Sequence, residues 1–177
     1  ADAFTYLGRG PEENYSDRFS GTLIGKYSSS AAKEYVRYVR PQECGHHTDC
    51  EYLAIGGLIV RSDRFEFNAL RCSVEDLDSE EAVQRDYQWE NKGPLTENDP
   101  AKAKNRLRRQ THINDYVERD FVEVCIDLAQ SGIGGYDSWG ARPDADRCLW
   151  SDKDYSFRFA IVPARAMGVR KSLGFDF

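Results

Sequence analysis

A chain of 177 residues, 40% hydrophobic and 31% charged, has the composition of one ordinary globular domain or a large piece of one. Twenty-four Lys and Arg against 30 Asp and Glu leave a net charge of −6, which argues against nucleic acid and anionic membranes as partners. No run of about 18 apolar residues is present to span a bilayer, and no basic-then-apolar leader follows Ala1.

Three Trp, ten Tyr and nine Phe against a single Met favour pleated surfaces over a helical bundle. Phe4 to Leu7 is apolar, and Gly8-Arg9-Gly10-Pro11 ends it. Thr22-Leu23-Ile24 leads into Gly25. Tyr35-Val36-Arg37-Tyr38-Val39 is β-branched and aromatic, and Pro41 stops it. Tyr52 to Ile55 and Leu58 to Val60 flank Gly56-Gly57, which predicts a tight hairpin because both glycines can take positive φ. Phe65 to Leu70, Phe121 to Leu128 and Tyr155 to Ile161 alternate with period two, the pattern of antiparallel strands with one buried and one wet face. Helix signals are few: Ser73-Val74-Glu75-Asp76 opens a short helix toward Gln84, and Lys102 to Gln110 is helix-compatible. The latter lies inside a long excursion from Trp89 to Ile113. Short strands separated by turns predict an all-β, antiparallel β-sandwich.

Five cysteines, Cys44, Cys50, Cys72, Cys125 and Cys148, are an odd number in a chain long enough to build a core without staples, so no disulfide framework is expected. Cys44-Gly45-His46-His47-Thr48-Asp49-Cys50 holds zinc-ligand residue types without the spacing of a zinc knuckle, and reads as a polar turn. Lys102, Lys104, Arg106, Arg108 and Arg109 form a basic patch flanked by acids, which reads as a solvated surface. Asn14-Tyr15-Ser16 fits the glycosylation pattern. No nucleophile elbow is present, and spacing picks out no carboxylate pair for glycoside chemistry. Gly132-Ile133-Gly134-Gly135-Tyr136-Asp137-Ser138-Trp139-Gly140 is no dinucleotide fingerprint, since the third glycine is missing and no helix follows. Its glycines let the backbone turn sharply. Trp139 is then either a core residue at a strand end or an indole that stacks on the C–H face of a sugar. Asp137 and Ser138 can brace such a loop through its own N–H groups.

Three segments, in order, resemble the C-terminal domain of the β-galactosidases of glycoside hydrolase family two. Gly8 to Pro11 with Glu13-Asn14-Tyr15 and Asp17-Arg18 is similar to the family's GRGPxENYxDR. Tyr38 to Gly45 with Thr48-Asp49 is similar to YxRPQENGxxTD, with Cys44 in place of the family's Asn. Gly132 to Gly140 is similar to GxGGxDSWG. The resemblance implies a large twisted sandwich (a supersandwich like that of galactose mutarotase), longer on its N-terminal side than this chain, so that bared strand edges would invite self-association. It implies that two glutamates of a TIM barrel hydrolyse the galactoside with retention. Such a barrel needs about 250 residues of alternating strands and helices, so those glutamates, and the family's Mg and Na, are expected in other domains of the parent enzyme. No cofactor or metal and no catalytic residue is expected on this chain. The resemblance places Trp139 at the active-site mouth against the galactoside, with Asp137 and Ser138 beside it. It gives Arg40, Pro41, Glu43, Gly45, Gly134 and Gly135 support roles, and leaves Arg9, Glu13, Asn14, Asp17 and Arg18 as structural turn and ion-pair residues. A cytoplasmic and a periplasmic parent are both compatible with it. A free-standing carbohydrate-binding module and a purely structural interaction domain are the competing readings.

Overall fold

The computed structural model describes residues 2–39, 41–77, 116, 118–137 and 139–165. The Trp89 to Ile113 excursion, with its basic patch, and the stretch from residue 78 toward Gln84 lie outside them. Two compact units divide the chain: Ala1–Tyr35, Cys44–Leu70 and Val124–Phe177 form the first, Val36–Glu43 and Arg71–Glu123 the second. No helix among the described residues is long and apolar enough to cross a membrane.

The fold is all-β and sandwich-like, built on one antiparallel sheet. Its strands are β1 (Ala3–Gly10), β2 (Leu23–Ser30), β3 (His47–Ile55), β4 (Leu58–Leu70), β5 (Glu123–Asp127) and β6 (Ala160–Pro163). They lie in the order β2-β1-β3-β4-β5, with β6 also paired to β4. β1 and β2 pair over their whole lengths, from Ala3 opposite Ser30 to Gly10 opposite Leu23. Every second residue of β1 from Phe4 onward is buried, which sets the core face. Gly56 and Gly57 take φ of 57° and 80° between the paired Ile55 and Leu58, so the expected hairpin forms through a two-residue turn.

The core centres on crossed aromatic rings. Phe67 meets Tyr6 edge-on at 5.3 Å and Phe4 at 5.7 Å, and His47 lies 4.5 Å from Tyr6. Edge-to-face pairs of this kind add to the area each ring buries. The Phe65 to Leu70 stretch departs from the alternation expected of it, because both of its faces are buried. Phe65, Phe67 and Ala69 occupy one face. On the other, Glu66 is covered through a hydrogen bond to His46. A wet-looking Glu in the sequence is dry here because it has a partner.

Three expected elements shift. Tyr35 to Val39 is not a strand: Ala31–Glu34 make one helical turn, α1, and a Tyr38 N–H to Val36 carbonyl bond then closes a three-residue turn. β-propensity reports fit to a pleated surface, and these residues pair with no strand of the sheet. At Tyr155 to Ile161 regular pairing begins only at Ala160, against Arg61, and Tyr155, Phe159 and Ile161 are exposed. The Ser73 helix start is realised as a 3₁₀ turn over Glu75–Leu77.

In the second unit, buried Asp76 accepts hydrogen bonds from Arg119 Nε at 2.9 Å, from Arg119 Nη2, and from the Ser73 amide at 3.1 Å. The guanidinium holds the Asp76 carboxyl below the usual carboxylate range. A depressed pKa stabilises the fold above the unfolded value of about 3.9, and that contribution disappears as pH falls through the lower folded value. Asp76→Asn therefore lowers stability in urea at pH 7 by about 2 kcal/mol, and the gap to wild type narrows steadily below about pH 4. Phe67→Ala removes the shared ring of the core and costs about 3–5 kcal/mol by the same measurement.

Candidate functional site

The site is assembled from the first unit, starting at the turn that follows β1. Asn14 is 0% exposed and fully engaged. Its Nδ2 donates to the carbonyls of Arg9 (2.9 Å) and Glu12 (3.0 Å), and its Oδ1 accepts from the Thr48 amide (3.0 Å) and hydroxyl (2.6 Å). The sequence pattern for glycosylation at this residue is thus closed off in the folded chain. Tyr15, also buried, stacks on His46 at 5.5 Å and donates from its hydroxyl to Glu13 at 3.1 Å. Tyr15 and Arg18 exchange backbone hydrogen bonds of 3.0 and 2.9 Å. Ser16 and Asp17 are therefore held at the tip of a tight turn.

The tip grips the glycine-rich loop. Asp17 Oδ1 accepts from the Ile133 amide at 3.0 Å and Oδ2 from the Gly134 amide at 2.8 Å. The Gly132 amide donates to the Arg147 carbonyl at 2.7 Å, and Arg147 Nη1 donates to the Ser16 carbonyl at 2.9 Å. Gly134 and Gly135 take φ of 61° and 75°, conformations open to glycine. Beyond them the Gly135 amide donates to the Ala141 carbonyl at 2.8 Å. Asp137 Oδ1 closes the tip by accepting from the amides of Trp139 (2.8 Å) and Ala141 (3.2 Å). Trp139 is 93% exposed, which excludes the core-tryptophan reading.

The expected site residues fall into separate groups. Gly134, Gly135, Asp137 and Trp139 share the one loop, with Asp137 Oδ1 occupied by the backbone. Ser138 and Arg40 lie outside the described residues. Pro41 and Glu43 belong to the second unit. Gly45 takes φ of 69°, donates its amide to Glu13 at 2.9 Å and packs against the backbone of Glu34. Arg9 pairs with Asp49 at 2.9 Å and Arg18 with Glu13 at 3.4 Å, which fits structural roles. Asp17 also has a structural turn role, and its carboxylate takes loop amides rather than a cation. Nothing in the sequence signals that contact, which closes a separation of 116 residues.

The His46–Cys50 segment is not the polar turn expected. It enters β3 through the core, with a register shift between His47 and Cys50 and Asp49 at φ 55°. His46, just ahead of β3, bonds Glu66 through Nε2, and His47, the first residue of β3, bonds Glu34 through Nε2, each at 2.9 Å. Burial pushes the Cys50 thiol well up. None of the five cysteines is in a disulfide. Among the described residues no group of three or more His, Cys, Asp or Glu is placed to hold a metal ion.

Known proteins match this chain along most of its length. A family model described as beta galactosidase small chain covers residues 1–161. A β-galactosidase of Priestia megaterium is 29% identical over 168 residues, 92% of this chain and 13% of that protein. One from Streptococcus thermophilus is 31% identical over 167 residues, 90% of this chain and 13% of that protein. One from Alteromonas mediterranea is 32% identical over 135 residues, 76% of this chain and 10% of that protein. The chain thus spans about an eighth of the length of the relatives it matches. By its three ordered motifs, its all-β fold and this match, the chain belongs to the β-galactosidase small-chain family.

Proposed function

We propose that this chain is the part of a β-galactosidase that borders the sugar site, and that it presents Trp139 to a galactoside while glutamates in other domains of the parent cleave the bond. The observation that carries this reading is an indole almost wholly in solvent on a loop braced at its base by Asp17 and at its tip by Asp137. Exposing a tryptophan forgoes the burial that usually places this side chain inside, so a ligand that covers it recovers that contribution. The less polar face of galactose suits a flat aromatic surface, and the contact is worth on the order of 1 kcal/mol beyond the area buried. The parent hydrolyses terminal β-galactosides with retention, and this chain contributes binding and no acid or nucleophile. The other domains of the parent are its structural partners.

Three measurements test the reading. The 177-residue chain alone gives no turnover of a chromogenic galactoside, and turnover at a meaningful rate overturns the assignment of chemistry to other domains. In the full-length protein, Trp139→Ala raises KM for a disaccharide galactoside about tenfold with a smaller change in kcat, the pattern of lost binding common to ground and transition states. Unchanged kinetics remove Trp139 from the site. Millimolar binding of galactose by the isolated chain, abolished by Trp139→Ala, would favour a free-standing binding module instead.

A further inference from the structure

We infer that Asp17 is the positioning residue for Trp139: a carboxylate on the turn after β1 holds the base of the glycine loop and thereby sets where the indole stands. Both carboxylate oxygens are used, one on the Ile133 amide and one on the Gly134 amide, at 3.0 and 2.8 Å. Hydrogen bonds to an ionised acceptor are about twice as strong as neutral ones, so this pair outweighs the ordinary turn bonds around it. The anchor is itself rigid. Tyr15 is buried and stacked, the Tyr15–Arg18 backbone pair closes the turn, and Asn14 ties it to β1 and β3.

Two further observations point the same way. A Cβ on Gly132 would fall inside the contact radius of the Asp17 carboxylate, so the loop approaches this group more closely than any other residue type permits. Arg147 completes the grip from the other side, donating to the Ser16 carbonyl while its own carbonyl receives the Gly132 amide. Asp137 acts elsewhere: it shapes the tip between Asp137 and Ala141 and does not reach the base. Loss of Asp17 loosens the loop at its base, whereas loss of Asp137 loosens only its end.

The kinetic consequence rests on the sugar-stacking reading, and the test separates the two. In full-length protein carrying Asp17→Asn, hydrogen exchange in the 131–141 peptide speeds up about tenfold, while peptides from β1, β3 and β4 keep wild-type rates. Gly132→Ala, which displaces the carboxylate without altering it, gives the same exchange pattern and guards against a variant that disturbs the turn. Each raises KM for the disaccharide severalfold with kcat nearly retained, and neither raises it further when Trp139 is already Ala. Unchanged exchange in the loop overturns the inference, as does a KM effect of Asp17→Asn that persists undiminished without Trp139. If Trp139→Ala leaves KM untouched, the stacking reading fails, and the exchange rates still decide whether Asp17 holds the loop.

Discussion

The four hydrogen bonds of the Asn14 side chain are the constraint on which the site depends. An amide has two donors and two acceptor positions, and here all are satisfied by backbone and hydroxyl groups of β1, the following turn and β3. A fully satisfied buried polar group is rigid, because any displacement leaves a donor or acceptor without water or protein. With the Asn14 backbone amide on the His46 carbonyl and Glu13 on the Gly45 amide, these bonds anchor the chain beyond Gly10. It returns to β3, buries Tyr15 and delivers Ser16 and Asp17 at a defined place.

The same logic runs through the histidines. His46 and His47 are adjacent at the start of β3, both are buried, and each finds its own carboxylate. Glu34 comes from α1 and also binds the Ser29 hydroxyl, and Glu66 from β4 also receives the Gln130 amide. Gln130 stands two residues before Gly132, where the glycine loop begins. The loop's entry is thus tied to the core by Glu66, its base to the turn by Asp17, and its tip to itself by Asp137. Tyr136, between base and tip, has its phenol pushed up by desolvation first and then by the neighbouring Asp144 and Asp17 carboxylates. The Trp139 indole, 93% exposed, stays outside this web.

Much of the sheet was readable from the residues. Paired glycines between apolar runs marked the β3–β4 hairpin, an apolar run ended by Gly8-Arg9-Gly10-Pro11 marked β1, and period-two alternation marked the place of β5. What failed did so for physical reasons. Tyr35 to Val39 has strand-forming residues, but β-propensity is a preference for a pleated surface that local residues alone do not supply. Phe65 to Leu70 looked half-wet because a sequence cannot say that Glu66 meets His46. The motif resemblance carried the family and singled out Trp139, whose exposure the residues themselves had left open. The role of Asp17 was out of reach, since its partners are backbone amides whose identity leaves no trace in side-chain type.

The sealed Asn14 has a consequence for how this protein can be made. Oligosaccharyltransferase in a eukaryotic secretory pathway meets a chain before it folds, when the Asn14-Tyr15-Ser16 tripeptide is open to it. A glycan linked there would replace one Nδ2 hydrogen and demand space where none is left. The modified chain would be barred from its native packing, so secreted eukaryotic expression selects against the folded molecule, and a host without that machinery is the productive route.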